Sequence, residues 1–221
     1  MQRGWRVWIL LAVVLGSTAF ALGFSVRGAV RYDLGLNKLG VEGELEYADQ
    51  LDANLTWGVR LSTRAVPWDG PLVLIVPNGF IEYRTALKES PELSSSAYAR
   101  AEVGLGWLPQ FFPRLVLSGG IDNRYAEFVG LKDVFVQSKL SLDFIPTERL
   151  TPGLETRVGL ILVPFVPYLA AGVDYNFVNS TLSPKLYAGS LLFLSPQFFL
   201  GLEGGLDPNG FVRLFFQFAE R

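Results

Sequence analysis

The chain has 221 residues, 50% hydrophobic, 14% aromatic and 18% charged, with 19 basic against 21 acidic side chains. Charged residues make up about 25% of an ordinary soluble domain, so this chain is poor in charge, and its near balance of sign offers no footprint for nucleic acid. Histidine and cysteine are both absent, which excludes Ser–His and Cys–His relays, imidazole switches, disulfides and His- or thiolate-ligated metals.

Arg3 and Arg6 precede the apolar run from Val7 to Gly16, and Ala19-Phe20-Ala21 follows Ser17 and Thr18. A positive start, an apolar stretch and an A-x-A site are the parts of a secretory signal peptide, with cleavage predicted after Ala21. An uncleaved anchor would want leucines where Ser17, Thr18 and the A-x-A site stand. Residues 1–21 are therefore read as a signal peptide and 22–221 as a single domain.

From Phe24 onward the pattern has period two. Phe24, Val26, Gly28, Val30, Tyr32 and Leu34 alternate with Ser25, Arg27, Ala29, Arg31 and Asp33. Leu39, Val41, Gly43, Leu45 and Tyr47 then alternate with Glu42, Glu44 and Glu46. Between Asp52 and Arg64 the apolar set is Ala53, Leu55, Trp57, Val59 and Leu61, and the polar set includes Asn54, Thr56, Arg60, Ser62 and Arg64. Successive strand side chains point to opposite faces, so each segment predicts an amphipathic strand.

The alternation continues through Ala97–Trp107, Val134–Phe144, Leu154–Leu162 and Leu169–Phe177. The last three segments, at 185–195, 197–206 and 210–219, are apolar on both faces. Turn signals between segments include Pro77-Asn78-Gly79, Asp122-Asn123, Pro152, Ser183-Pro184 and Asp207-Pro208-Asn209-Gly210. A membrane-spanning strand takes about 9–11 residues. Eight such strands would leave connections of roughly 15 residues, and twelve leave roughly 6 or 7, which matches the turn spacing. The prediction is an all-β, closed, antiparallel up-and-down transmembrane barrel of about 12 strands, with 10 as the fallback.

The same period would serve a soluble sandwich with its apolar face inside. A first hairpin closed through Gly35–Lys38 sets Arg31 opposite Glu42 and Arg27 opposite Glu46, with Arg60 and Arg64 of the next strand within reach of the same carboxylates. Arg27, Arg31, Glu42, Glu44, Glu46, Arg60 and Arg64 would then form a lumen charge network or a solvated strand face. Tyr32, Tyr47, Trp107, Phe144, Tyr175 and Phe177 sit on the apolar face near strand ends, as in the aromatic girdles of lipid-facing barrels. That placement favours the membrane.

With these features the chain resembles the small bacterial outer-membrane β-barrel proteins. Such proteins end in a strand of alternating apolar residues closed by a phenylalanine, the signal read by the barrel-assembly machinery. Val212, Leu214, Phe216 and Phe218 match it, with Phe218 three residues short of the end. The resemblance implies outer-membrane residence, contact with membrane lipid and assembly by that machinery. The known enzymes of the class rely on a catalytic histidine that this chain lacks, so no enzyme activity, cofactor or metal is expected. Two readings follow: a structural or surface barrel with a side-chain-filled lumen, and a narrow porin-like channel for small solutes. A third, a soluble exported β protein holding a lipid or apolar ligand, requires the apolar face to be inside.

Overall fold

The computed structural model describes residues 23–66, 72–108, 110–146 and 148–220, without the side chains at 64, 66, 72–74, 107–108 and 110–111. The signal segment 1–21, with Ala21, lies outside the described residues. Twelve strands follow one another: β1 (Phe24–Asp33), β2 (Lys38–Gln50), β3 (Leu55–Val66), β4 (Leu72–Glu89), β5 (Leu93–Leu108), β6 (Gln110–Phe128), β7 (Leu131–Ile145), β8 (Arg149–Leu160), β9 (Phe165–Asn176), β10 (Thr181–Phe193), β11 (Phe198–Leu206) and β12 (Gly210–Ala219). Every strand pairs antiparallel with its chain neighbours, and β1 closes on β12. Closure leaves no free edge, so every strand has a hydrogen-bonding neighbour on both sides.

The apolar set faces outward. Val103, Leu169, Leu140 and Leu186 are each more than 60% exposed, whereas Phe80, Phe211, Phe215 and Tyr168 on the other face are 3–6% exposed. Monomeric soluble proteins rarely expose apolar patches larger than a few hundred Å², and here such a belt surrounds the whole wall. This is the transmembrane arrangement, and it removes the reading with an apolar interior. Aromatic side chains crowd the ends of the belt. Phe24, Tyr47 and Trp57 form a chain of ring contacts at 5.3 and 6.0 Å near the end that holds both termini, and Tyr175 meets Phe177 at 4.8 Å at the other.

Several predicted breaks fall inside strands. Pro77-Asn78-Gly79 lies within β4, Asp122-Asn123 within β6, Pro152 within β8 and Ser183-Pro184 within β10. Pro77, Pro152 and Pro184 pair with Leu61, Leu142 and Val173, on the outward face. There each ring adds to the apolar belt, and the lost N–H costs one ladder bond in a wall that holds each strand from both sides. The single register shift on β4 lies further along, between Ala86 and Lys88.

The first hairpin also differs from expectation. Asp33 pairs with Lys38, so the turn is Leu34–Asn37 and the partners shift by two: Arg27 faces Glu44, Ala29 faces Glu42 and Arg31 faces Gly40. Two local features cause this. Asn37 takes the left-handed conformation, φ 53°, which asparagine tolerates, and the Asp33 carboxylate accepts the Leu36 N–H at 3.2 Å. The Leu34 N–H donates instead to Gly210 at the closing seam. A shift of two keeps every side chain on its face, so the charges remain inward while their partners change.

The charged lumen as candidate functional site

Inward charges on β2–β5 form a lattice rather than a ladder. Arg60 on β3 reaches Glu46 at 2.8 Å, Glu102 at 3.2 Å and Glu44 at 3.6 Å. Arg100 on β5 reaches the same Glu46 at 2.8 Å, Glu102 at 2.8 Å and Glu82 at 3.4 Å. Its guanidinium carbon lies 3.6 Å from the centroid of the Phe80 ring. Arg84 continues the lattice to Glu82 at 3.4 Å and Asp122 at 3.1 Å. Two cations thus share two carboxylates at mid-lumen, and Glu102 is only 7% exposed. Desolvated charges hold only when their partners satisfy them, and here each carboxylate has at least one arginine.

All around the lumen, rings are set over glycines. Phe80 lies directly across from Gly58, Tyr98 from Gly120, Phe135 from Gly159, Tyr168 from Gly189 and Phe215 from Gly201. A Cβ at any of these glycines would stand under 3.0 Å from the facing ring. The missing side chain lets each ring lie flat against its neighbour strand, which packs the lumen and permits the wall to bend. Tyr168 donates its hydroxyl proton to Glu203, and Arg157 donates to the Tyr187 oxygen at 2.9 Å and to Glu155 at 2.8 Å. Tyr168, Ala170, Tyr187 and Phe211 make one buried cluster, with Phe135 and Leu191 against it.

Of the residues expected in the charge network, Glu44, Glu46 and Arg60 meet in the central lattice. Glu42 bonds Arg213 of β12 at 2.7 Å, reaching over β1. Arg31 bonds Asp207 at 3.1 Å and the Asp207 carbonyl at 2.6 Å near the rim, so its expected partner Glu42 is not its partner. Arg27 has Glu44 as its cross-strand neighbour but forms no ion pair among the described residues. Arg64 pairs by backbone with Glu42, but its side chain is outside the described residues. Phe218 takes its place on the outward face between Val26 and Phe198.

Sequence reasoning missed Arg213, Glu203, Tyr168 and Tyr187. The signal was present: Glu203 and Arg213 are lone charges in otherwise apolar strands. Segments apolar on both faces carry no visible inward parity, and only the register sets Glu203 opposite Arg213. Among the described residues no cluster of acidic side chains is arranged to hold a metal.

No protein-family model matches the sequence, and no curated protein is similar to it. Solved structures are similar in fold. The KdgM porin superposes with a TM-score of 0.55 at 12% identity, over 89% of this chain and 99% of that one. The NanC porin gives 0.54 at 9% identity, over 90% and 99%. Outer membrane phospholipase A from Escherichia coli gives 0.50 at 11% identity, over 91% and 92%. The shared feature is the architecture of bacterial outer-membrane barrels, which carries both porins and an enzyme.

Proposed function

We propose that this protein is an integral outer-membrane barrel of structural or surface role, whose lumen is closed by its own side chains. It carries out no catalysis and needs no cofactor. The observation that carries the reading is the chord of charge from Arg100 to Glu46 and Glu102, backed by buried Phe80 beneath Arg100 and by buried Tyr168, Phe211 and Phe215 elsewhere around the lumen. Barrels of about 8 strands are filled by side chains and those of 16–18 leave a channel, so at twelve the lumen chemistry decides, and here it supports closure. The outward apolar belt supports residence in the outer membrane with lipid as the immediate partner. The closing strand ending near Phe218 supports delivery by the barrel-assembly machinery.

A porin-like channel is the second reading. It is favoured by a cavity of about 460 Å³ between β1, β2 and the β7–β8 turn. Reconstitution in planar bilayers separates the two. The closed barrel passes no steady single-channel current, whereas a large, stable conductance in the unmutated protein establishes the channel. Removal of both Arg60 and Arg100 to alanine then opens a cation-selective leak past Glu44, Glu46, Glu82 and Glu102, since a single-sign lining selects the opposite ion.

A further inference from the structure

The cavity lies towards the mouth opposite the termini and carries an imbalance within its walls. Four arginines line it, Arg27, Arg114, Arg149 and Arg213, together with the carboxylates Glu42, Glu44 and Glu148. Most of these cations are already matched. Arg213 bonds Glu42 at 2.7 Å and Glu203 at 3.4 Å. Arg114 and Arg149 divide Asp143 between them, at 2.8 and 3.1 Å. Glu44 is turned to Arg60 at 3.6 Å.

Arg27 is left over. Its cross-strand neighbours are Glu44 and Gln217, yet among the described residues it forms no ion pair, and its buried Nε has no hydrogen-bond partner. Its described contact is the Phe215 ring, 5.1 Å from the guanidinium carbon. The Nε of Arg213 on the neighbouring strand is likewise buried without a partner. A buried guanidinium N–H left without an acceptor is costly, and Arg27 keeps one on the wall of a cavity within the size range of small-molecule sites, about 300–1,000 Å³.

We propose that this vestibule binds a small oxyanion, a phosphate or carboxylate group, with Arg27 as its principal cation and Arg213 beside it. Guanidinium nitrogens match the oxygens of such groups in charge and geometry. The cavity lies on the lumen side of the wall, away from the lipid-facing surface, so the ligand is an aqueous solute and not the headgroup of a surrounding lipid. Glu44, directly opposite Arg27, is the internal competitor: a bound oxyanion and the Glu44 carboxylate contend for the same cation. The inference rests on the barrel and its vestibule alone, so a conducting lumen would not remove it.

The test is calorimetric titration of the full-length, detergent-solubilised barrel with inorganic phosphate and, separately, with succinate, at ionic strength matched by sodium chloride. Saturable binding of phosphate alone assigns a phosphate site, and binding of both assigns a general oxyanion site. Arg27→Gln weakens it about tenfold or more, the worth of a charge-assisted hydrogen bond. Glu44→Gln tightens it, which no purely structural role for Arg27 explains. Lys88→Gln, exposed at the far end of β4, leaves it unchanged. No saturable binding in the unmutated protein overturns the proposal, as does equal binding in Arg27→Gln. Should Arg27→Gln not fold, unchanged binding in Glu44→Gln overturns it instead.

Discussion

The guanidinium of Arg100 on β5 bonds the carboxylate of Glu46 on β2 at 2.8 Å, with β3 and β4 standing between them in the wall. Neighbours in a sheet meet through cross-strand pairs, but this contact is a chord through the interior. It exists only once the sheet has curved enough to bring β2 and β5 face to face. The bond therefore reports closure of the barrel.

Arg100→Ala strips Glu46, Glu82 and Glu102 of a shared cation while leaving Glu102 buried. Breaking a buried pair from one side costs about 3–5 kcal/mol. The expected loss is towards the lower end, because Arg60 still serves Glu46 and Glu102. Urea unfolding of the barrel in lipid vesicles measures it, and a loss below about 0.5 kcal/mol, the scale of surface substitutions, would show that the lattice is hydrated and loose.

Two glycines on different faces make a matched pair. A Cβ at Gly189 would stand 2.5 Å from the Tyr168 ring, whereas one at Gly79 meets nothing within 4 Å. Gly189→Ala is expected to cost about 1–3 kcal/mol by overpacking, while Gly79→Ala should be neutral or gain up to about 1 kcal/mol from reduced unfolded-state entropy. Equal effects in the same vesicle assay would refute the ring-over-glycine packing.

Tyr168→Phe keeps the ring over Gly189 and removes only the proton given to Glu203. Glu203, 4% exposed, is then left with Arg213 at 3.4 Å. An unsatisfied buried acceptor costs about 1–3 kcal/mol, and thermal unfolding in detergent should show that loss without a change in strand content by circular dichroism.

Val103 is 64% exposed on the outward face of β5. A lysine at mid-membrane costs about 2–4 kcal/mol in a lipid-facing barrel, whereas the same change on a water-facing strand would be close to neutral. Val103→Lys should therefore lower stability in vesicles by that amount. Unchanged stability would place this face in water and reject the membrane reading.

Strand number and side-chain facing were legible because both depend on local alternation. Phe24, Val26, Val30 and Tyr32 declare one face and Arg27 and Arg31 the other, whatever they pair with. Proline and Asx turn signals were less reliable. In a closed wall an outward Pro152 or Pro184 is held by neighbours on both sides and breaks nothing, so local turn chemistry yields to tertiary pairing. The lattice itself was only half legible: Glu44, Glu46 and Arg60 announced themselves in charged strands, while Glu203, Arg213 and Tyr187 lay in segments apolar on both faces, and Tyr168 just ahead of an alternating one.

Residue order alone thus determined that the chain alternates and that its charges share one face, and, with the length a spanning strand needs, set the strand number at about 12. Which charge meets which was a tertiary decision. A left-handed Asn37 moved the first hairpin by two residues, passed Glu42 from Arg31 to Arg213 across the seam and set Glu44 opposite Arg27, which forms no ion pair among the described residues. Facing has a period of two and survives such a shift, whereas pairing has no period and is settled only when the twelfth strand returns to the first.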